Sequence, residues 1–183
     1  PDGEKSVTND LCINEEFLKY QNAVLSSFVT CTKSKNFGGI DMPTLFQMYS
    51  RESSFKPQYA SGNGTGLGQL TSIFVEDIHQ KHRGYKFMKE IATSTNPECT
   101  AAKIIAEKDL NNKPSIKNSC SFISVGDGLE RNILYSLIGF AIAWEKDIER
   151  PLRAYIKKNR NHPKINEVKN LSVLNAYGRG GQA

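Results

Sequence analysis

No stretch of this 183-residue chain is apolar for long enough to cross a bilayer, and no stretch repeats or falls into low complexity. The most apolar run, NILYSLIGFAIAW, is interrupted by Gly139 and followed by charges, so it reads as a buried helix. The opening PDGEKSVTND lacks the apolar core of a signal peptide, and any export signal is expected to have been removed already. No C-x-x-C pair occurs among Cys12, Cys31, Cys99 and Cys120, which argues against a zinc ribbon or a thioredoxin-like centre. There is no H-E-x-x-H. His79 and His82 could share a helix face, but no cysteine lies near them, so they read as surface residues and no metal is expected. A nucleophile elbow for a Ser-His-Asp or Cys-His enzyme is missing as well.

What is present is ordinary for a folded domain: 38% hydrophobic and 23% charged residues, enough chain for one real core, and so a single domain over 1–183. The net charge of +5 favours an acidic partner, whether nucleic acid, an anionic membrane surface or an anionic polymer such as a bacterial cell wall. Basic residues are dispersed apart from RAYIKKNRNHPK, which is either a solvated face or a binding surface. An even number of cysteines without metal spacing suggests two disulfides and an oxidising compartment; four buried free thiols are the alternative. Sequence-local pairing, Cys12 with Cys31 and Cys99 with Cys120, is the simplest of three connectivities.

Periodicity points to helices joined by polar loops. NEEFLKYQNAVLSSFV starts from Asn14 as an N-cap. DMPTLFQMYSRES has Pro43 as a first-turn proline and should run out near Glu52. TSIFVEDIHQKH should begin at Thr71 or Ser72. Further helices are expected around PECTAAKIIAEKDL, through LERNILYSLIGFAIAWEKDI, and through NEVKNLSVLNAY, with Pro151 breaking or bending the chain before LRAYIKKN. Trp144 reads as core. SIKNSCSFISVGDG is the least helical stretch and reads as a short strand or an ordered loop. The class is mainly α.

Between Ser50 and Ser72 the chain reads SRESSFKPQYASGNGTGLGQLTS, with glycines at 62, 64, 66 and 68. Alternating glycines weaken helix and strand alike, so the backbone must be needed close to something. A phosphate-binding loop is excluded because no lysine follows any of them, and Gln69 stands where G-x-G-x-x-G requires glycine. Either this is a plain flexible loop, or the glycines let a flat ligand reach backbone N–H and C=O groups. Glu52 precedes them at a helix end, where the dipole and any burial near Phe55, Leu67 or a tyrosine raise its pKa. A carboxylic acid still protonated near neutral pH can give a proton to a leaving oxygen. Those are the requirements of a sugar-binding cleft beside an acid.

RESSFKPQYASGNGTGLGQLTS resembles the catalytic motif of the lytic transglycosylase and goose-type lysozyme superfamily. The matching residues are Glu52, Ser53, Phe55, Pro57, Ala60, Ser61, Gly66, Leu67 and Gln69. LNAYGRGG is similar to the family's Ala-Tyr-Asn block, with Ala176 and Tyr177 matching and Gly178 in place of asparagine; NILYSLIGFA loosely resembles its central helix, with Asn132 and Gly139 as anchors. The resemblance implies a lysozyme-like single domain with a cleft for peptidoglycan glycan strands. It implies Glu52 as the acid, Tyr177 in contact with it, and Ser53, Gly66, Leu67, Gln69 and Ala176 around the substrate. A secreted or periplasmic monomer without cofactor, transmembrane segment or nucleic-acid partner is expected. Goose-type enzymes carry aspartates near this loop that position an attacking water; Ala60 and Thr71 stand in that neighbourhood here, with Glu76 and Asp77 shortly after. That departure favours the transglycosylase route over its close alternative, a hydrolytic lysozyme. A non-catalytic wall-binding module is the reading from another class. The chain ends at Ala183 directly after the tyrosine block, leaving room for further residues or domains beyond it.

Overall fold

Pro43 fits the first turn of a helix, where its missing N–H costs nothing, and the chain is helical there in the computed structural model. The structure describes Lys19, Ala23 and residues 42–56, 59–80, 84–115, 120–123, 127–143 and 150–180. The expected first helix lies outside these apart from Lys19 and Ala23, both helical; Cys12, Cys31, His82 and Trp144 also lie outside.

In chain order, α1 (Met42–Ser53) leads into a two-residue hairpin of β1 (Ala60–Ser61) and β2 (Gly64–Thr65), then α2 (Ser72–His79) and α3 (Tyr85–Ala92). A 3₁₀ turn (Pro97–Cys99) leads into α4 (Thr100–Asn111), followed by α5 (Cys120–Ile123), α6 (Asp127–Ala143), α7 (Arg150–Lys158) and α8 (Ile165–Gly180). The described residues are mainly helical with little strand, as the periodicity predicts. Three details differ. The helix α3 has no capping side chain at Gly84, so it carried no start signal, yet it buries Phe87, Met88, Ile91 and Ala92. The stretch read as strand or loop contains α5. Pro151 lies inside the first turn of α7, not ahead of it; the chain at 144–149 is outside the described residues.

The core is organised around α6, which is buried along almost its whole length despite Gly139. A helix apolar on all sides must be surrounded, and α2, α4, α5 and α8 all pack on it. Gly139 is a notch: a Cβ there would strike the Phe74 and Tyr177 rings. The polar residues of α6 point two ways. Arg131 forms a buried fork with Asp109 on α4 (2.6 and 2.9 Å) and donates to the Ser121 carbonyl at 2.7 Å. Tyr135 donates to Asp109 at 3.1 Å and lies 2.7 Å from Nε2 of His79, so one network joins α2, α4, α5 and α6. Asn132, Ser136 and Gly139, spaced i, i+4, i+7, share a second face about a quarter-turn round the helix, toward the glycine segment and Tyr177.

Candidate active site

Leu45, Met48 and Tyr49 form the buried stripe of α1, and Glu52, one turn beyond Tyr49, comes to rest half-buried beside it. Burial raises the pKa of its carboxyl, opposed by the neighbouring Arg51 charge. The carboxylate makes no hydrogen bond or ion pair among the described residues. Beyond Ser53 the chain turns through two consecutive left-handed residues, Ser54 (φ 50°) and Phe55 (φ 60°). Their amides close the helix end on the carbonyls of Ser50 (3.0 Å) and Tyr49 (3.3 Å), and Phe55 packs edge-on against Phe46. Left-handed backbone costs a non-glycine residue about 1–2 kcal/mol, and such strain collects where function demands a geometry. Gln69 (φ 45°) adds a third such residue in the same segment. Ser53 is 3% exposed, and its hydroxyl donates to the Tyr49 carbonyl at 3.0 Å, which leaves it supporting the helix end rather than facing a ligand.

The glycine segment is an ordered, clamped loop. Gly62 (φ +56°) makes the hairpin turn, with Ala60 opposite Thr65 and Ser61 opposite Gly64. Thr65 and Leu70 exchange both backbone hydrogen bonds at 3.0 Å, pinching residues 66–69 into a bulge. Asn132, fully buried, holds that bulge from α6: its Nδ2 donates to the Thr65 carbonyl and its Oδ1 accepts from the Gly68 amide, both at 3.0 Å. Gln69 folds its amide back onto the carbonyls of Gly66 (2.7 Å) and Tyr59 (3.2 Å), and its Oε1 accepts no hydrogen bond among the described residues. The expected use of the glycines is therefore corrected. A Cβ at Gly64 would meet Gln69, one at Gly66 (φ +74°) would run into Asn132, and one at Gly68 would strike Ser136 and Tyr177. Those three make room for the protein's own side chains; around Gly62 alone of the four is the space open. Leu67 is 0% exposed and anchors the bulge in the core, and buried Gly66 spends its N–H on the Tyr59 carbonyl (2.7 Å) and its carbonyl on Gln69.

Tyr177, on α8, closes the other side. Its ring stacks on Phe140 at 4.8 Å and meets the edge of Phe74, and its hydroxyl donates to the Gly68 carbonyl at 2.9 Å. Burial raises its pKa, with smaller contributions from Tyr49 and the Glu52 charge. The expected contact is thus modified: Tyr177 lies within electrostatic reach of Glu52, but its proton is directed at the loop. The helix α8 also continues to Gly180 instead of ending at the tyrosine. The side chain of Ala176 lies outside those described.

The raised pKa of Glu52 comes from burial, opposed by the Arg51 charge, with no second carboxylate among its causes. Thr71 caps α2, accepting from the Phe74 amide at 3.2 Å, and Ala60 is in the hairpin. Glu76 is ion-paired with Lys113. His79 belongs to the Tyr135–Asp109 network, where burial lowers its pKa. No cluster able to hold a metal occurs among the described residues. Cys99 is buried in a disulfide; its partner is outside the described side chains, so the Cys99–Cys120 pairing is neither met nor refused. Ser136, which borders Gly68 with Tyr177 and donates to the Asn132 carbonyl at 2.7 Å, was not singled out from the sequence. The signal existed: a small, polar i, i+4, i+7 stripe on an otherwise apolar helix. No protein-family model, no curated protein and no solved structure matches this chain.

Proposed function

We propose that the protein cleaves the β-1,4 bond between N-acetylmuramic acid and glucosamine units of peptidoglycan, with Glu52 as general acid and then base. The observation that carries this reading is Glu52 itself: a half-buried carboxyl with a raised pKa and no hydrogen-bond partner, set at a strained helix end beside a clamped backbone loop. A purely structural carboxylate would be exposed or paired. Glu52 protonates the bridging oxygen, and the bond to the muramoyl anomeric carbon breaks. That carbon is then captured by the sugar's own 6-hydroxyl, whose proton returns to Glu52, leaving a 1,6-anhydro end. The route needs no second carboxylate, in keeping with Thr71 as a helix cap and Glu76 held by Lys113.

The reading includes a lysozyme-like arrangement of helices around a short hairpin, and export to the periplasm or beyond, for which the Cys99 disulfide speaks. Its test is Glu52→Gln, which keeps shape and removes the proton. Release of fragments from purified cell walls should fall by about 10²–10⁴-fold or more, with the fold intact by circular dichroism. Wild-type turnover by that variant would remove Glu52 from the chemistry.

A further inference from the structure

The charge of this molecule is segregated. Residues 150–164 hold six arginines and lysines and no acid, so the rest of the chain, from a total of +5, carries a net −1. Elsewhere three surface lysines are ion-paired, Lys103 with Glu107, Lys108 with Asp127 and Lys113 with Glu76, while Lys56 and Lys89 stand singly among the described residues, each in a different segment. Lys157, Lys158, Arg160 and Lys164 are exposed and form no ion pair among the described residues.

These cations sit on ordered backbone. Ile156 of α7 packs against the core while Arg153, Lys157 and Lys158 face water, with Tyr155 half-exposed among them. Successive turns then carry the chain into α8, through Asn159 N–H to the Tyr155 carbonyl, His162 N–H to Asn159 and Ile165 N–H to His162 at 2.9–3.0 Å. The first acid beyond is Glu167, in the first turn of α8. Ile165 and Tyr177 lie on that one helix, about 18 Å apart at 1.5 Å per residue, so the basic surface is separate from the acid but rigidly joined to it.

We propose that this surface docks the carboxylate-bearing peptide stems of peptidoglycan and holds the enzyme on its insoluble substrate. The inference rests on the peptidoglycan reading. In intact peptidoglycan the lactyl carboxyls of the muramic acid are tied up in amide bonds to the stems, so a cleft that grips the N-acetylated sugars has no use for the cations; the free carboxylates of that polymer are on its stems. A membrane is a poorer match, because an interfacial helix turns its apolar face outward and the Ile156 side of α7 is turned inward.

The test is co-sedimentation with insoluble sacculi, in the Glu52→Gln background so that the mesh stays whole. The fourfold variant Lys157→Gln, Lys158→Gln, Arg160→Gln, Lys164→Gln should bind about tenfold or more weakly, and binding of the parent should decline with salt. Sacculi whose carboxylates have been amidated with carbodiimide and ethanolamine should hold the parent no better than the fourfold variant. Equal binding by parent and variant, or by native and amidated sacculi, overturns the proposal, as does tighter binding to DNA or anionic vesicles than to sacculi. With Glu52 restored, the four glutamines should leave cleavage of solubilised, stem-free glycan strands with amidated lactyl carboxyls unchanged. If the wild type cleaves no such strand, the peptidoglycan reading fails while the sedimentation result stands apart from it.

Discussion

A glutamate in the last turn of a helix carries its charge against the helix dipole, and Glu52 adds partial burial to that. Its folded-state pKa therefore lies above the unfolded value. The stability it contributes is fully present below the unfolded pKa and is lost as pH rises through the folded one. The Glu52→Gln protein should accordingly melt at or above the wild-type temperature at neutral pH, the difference vanishing in acid; calorimetry at two pH values reads this. Tyr177 differs in kind. Its hydroxyl holds the Gly68 carbonyl at 2.9 Å while the ring fills the Gly139 notch. Tyr177→Phe keeps the ring and should cost about 1 kcal/mol by denaturant titration. Activity should fall less than in Glu52→Gln, since the loop is loosened but the proton donor remains.

Asn132 and the bulge behave as one element. Asn132→Ala orphans the Gly68 amide and removes a donor from the Thr65 carbonyl, at about 1–3 kcal/mol for each buried group left unpaired. Gly66→Ala attacks the same clamp from the loop side, through a collision with Asn132 and a left-handed backbone, and should cost about 2–4 kcal/mol. If the loop were a passive surface turn, neither change would reach the glycan-cleavage rate, which steady-state kinetics on the purified variants measures. How much of this was legible depends on where the cause lay. The ends of α1 and α2 were readable because Pro43, Thr71 and the glycines act locally. The helix α3 was not, because its stability comes from burying Phe87, Met88 and Ile91 against other elements, with no cap to announce it. The glycines marked a tightly packed loop, but the occupants at Gly66 and Gly68 come from residues 132, 136 and 177, and no local pattern says whether a ligand or a helix will fill the space.

At the scale of the molecule, the face of α6 next to Asn132 carries the Arg131–Asp109 fork. Asp109→Asn would leave the Arg131 guanidinium buried without its counter-charge and should destabilise by about 3–5 kcal/mol, read from the urea midpoint. That network ties together the helices that hold α6, and with it Asn132, in place, so the glycine loop depends on an ion pair on the neighbouring face of the same helix. Chemistry at Glu52 depends on what surrounds it. A water attacking opposite the acid needs a second carboxylate roughly 6.5–9.5 Å away, and a covalent route needs one at about 5–5.5 Å. Ala60, Thr71 and Glu76 each have another place or partner. The most direct measurement is mass spectrometry of N-acetylated peptidoglycan digested by the wild-type protein and by Glu52→Gln. The account predicts 1,6-anhydromuramoyl ends, one water lighter than hydrolysed ends, from the wild type alone. Reducing ends from the wild type, or the same products from the glutamine variant, would contradict it.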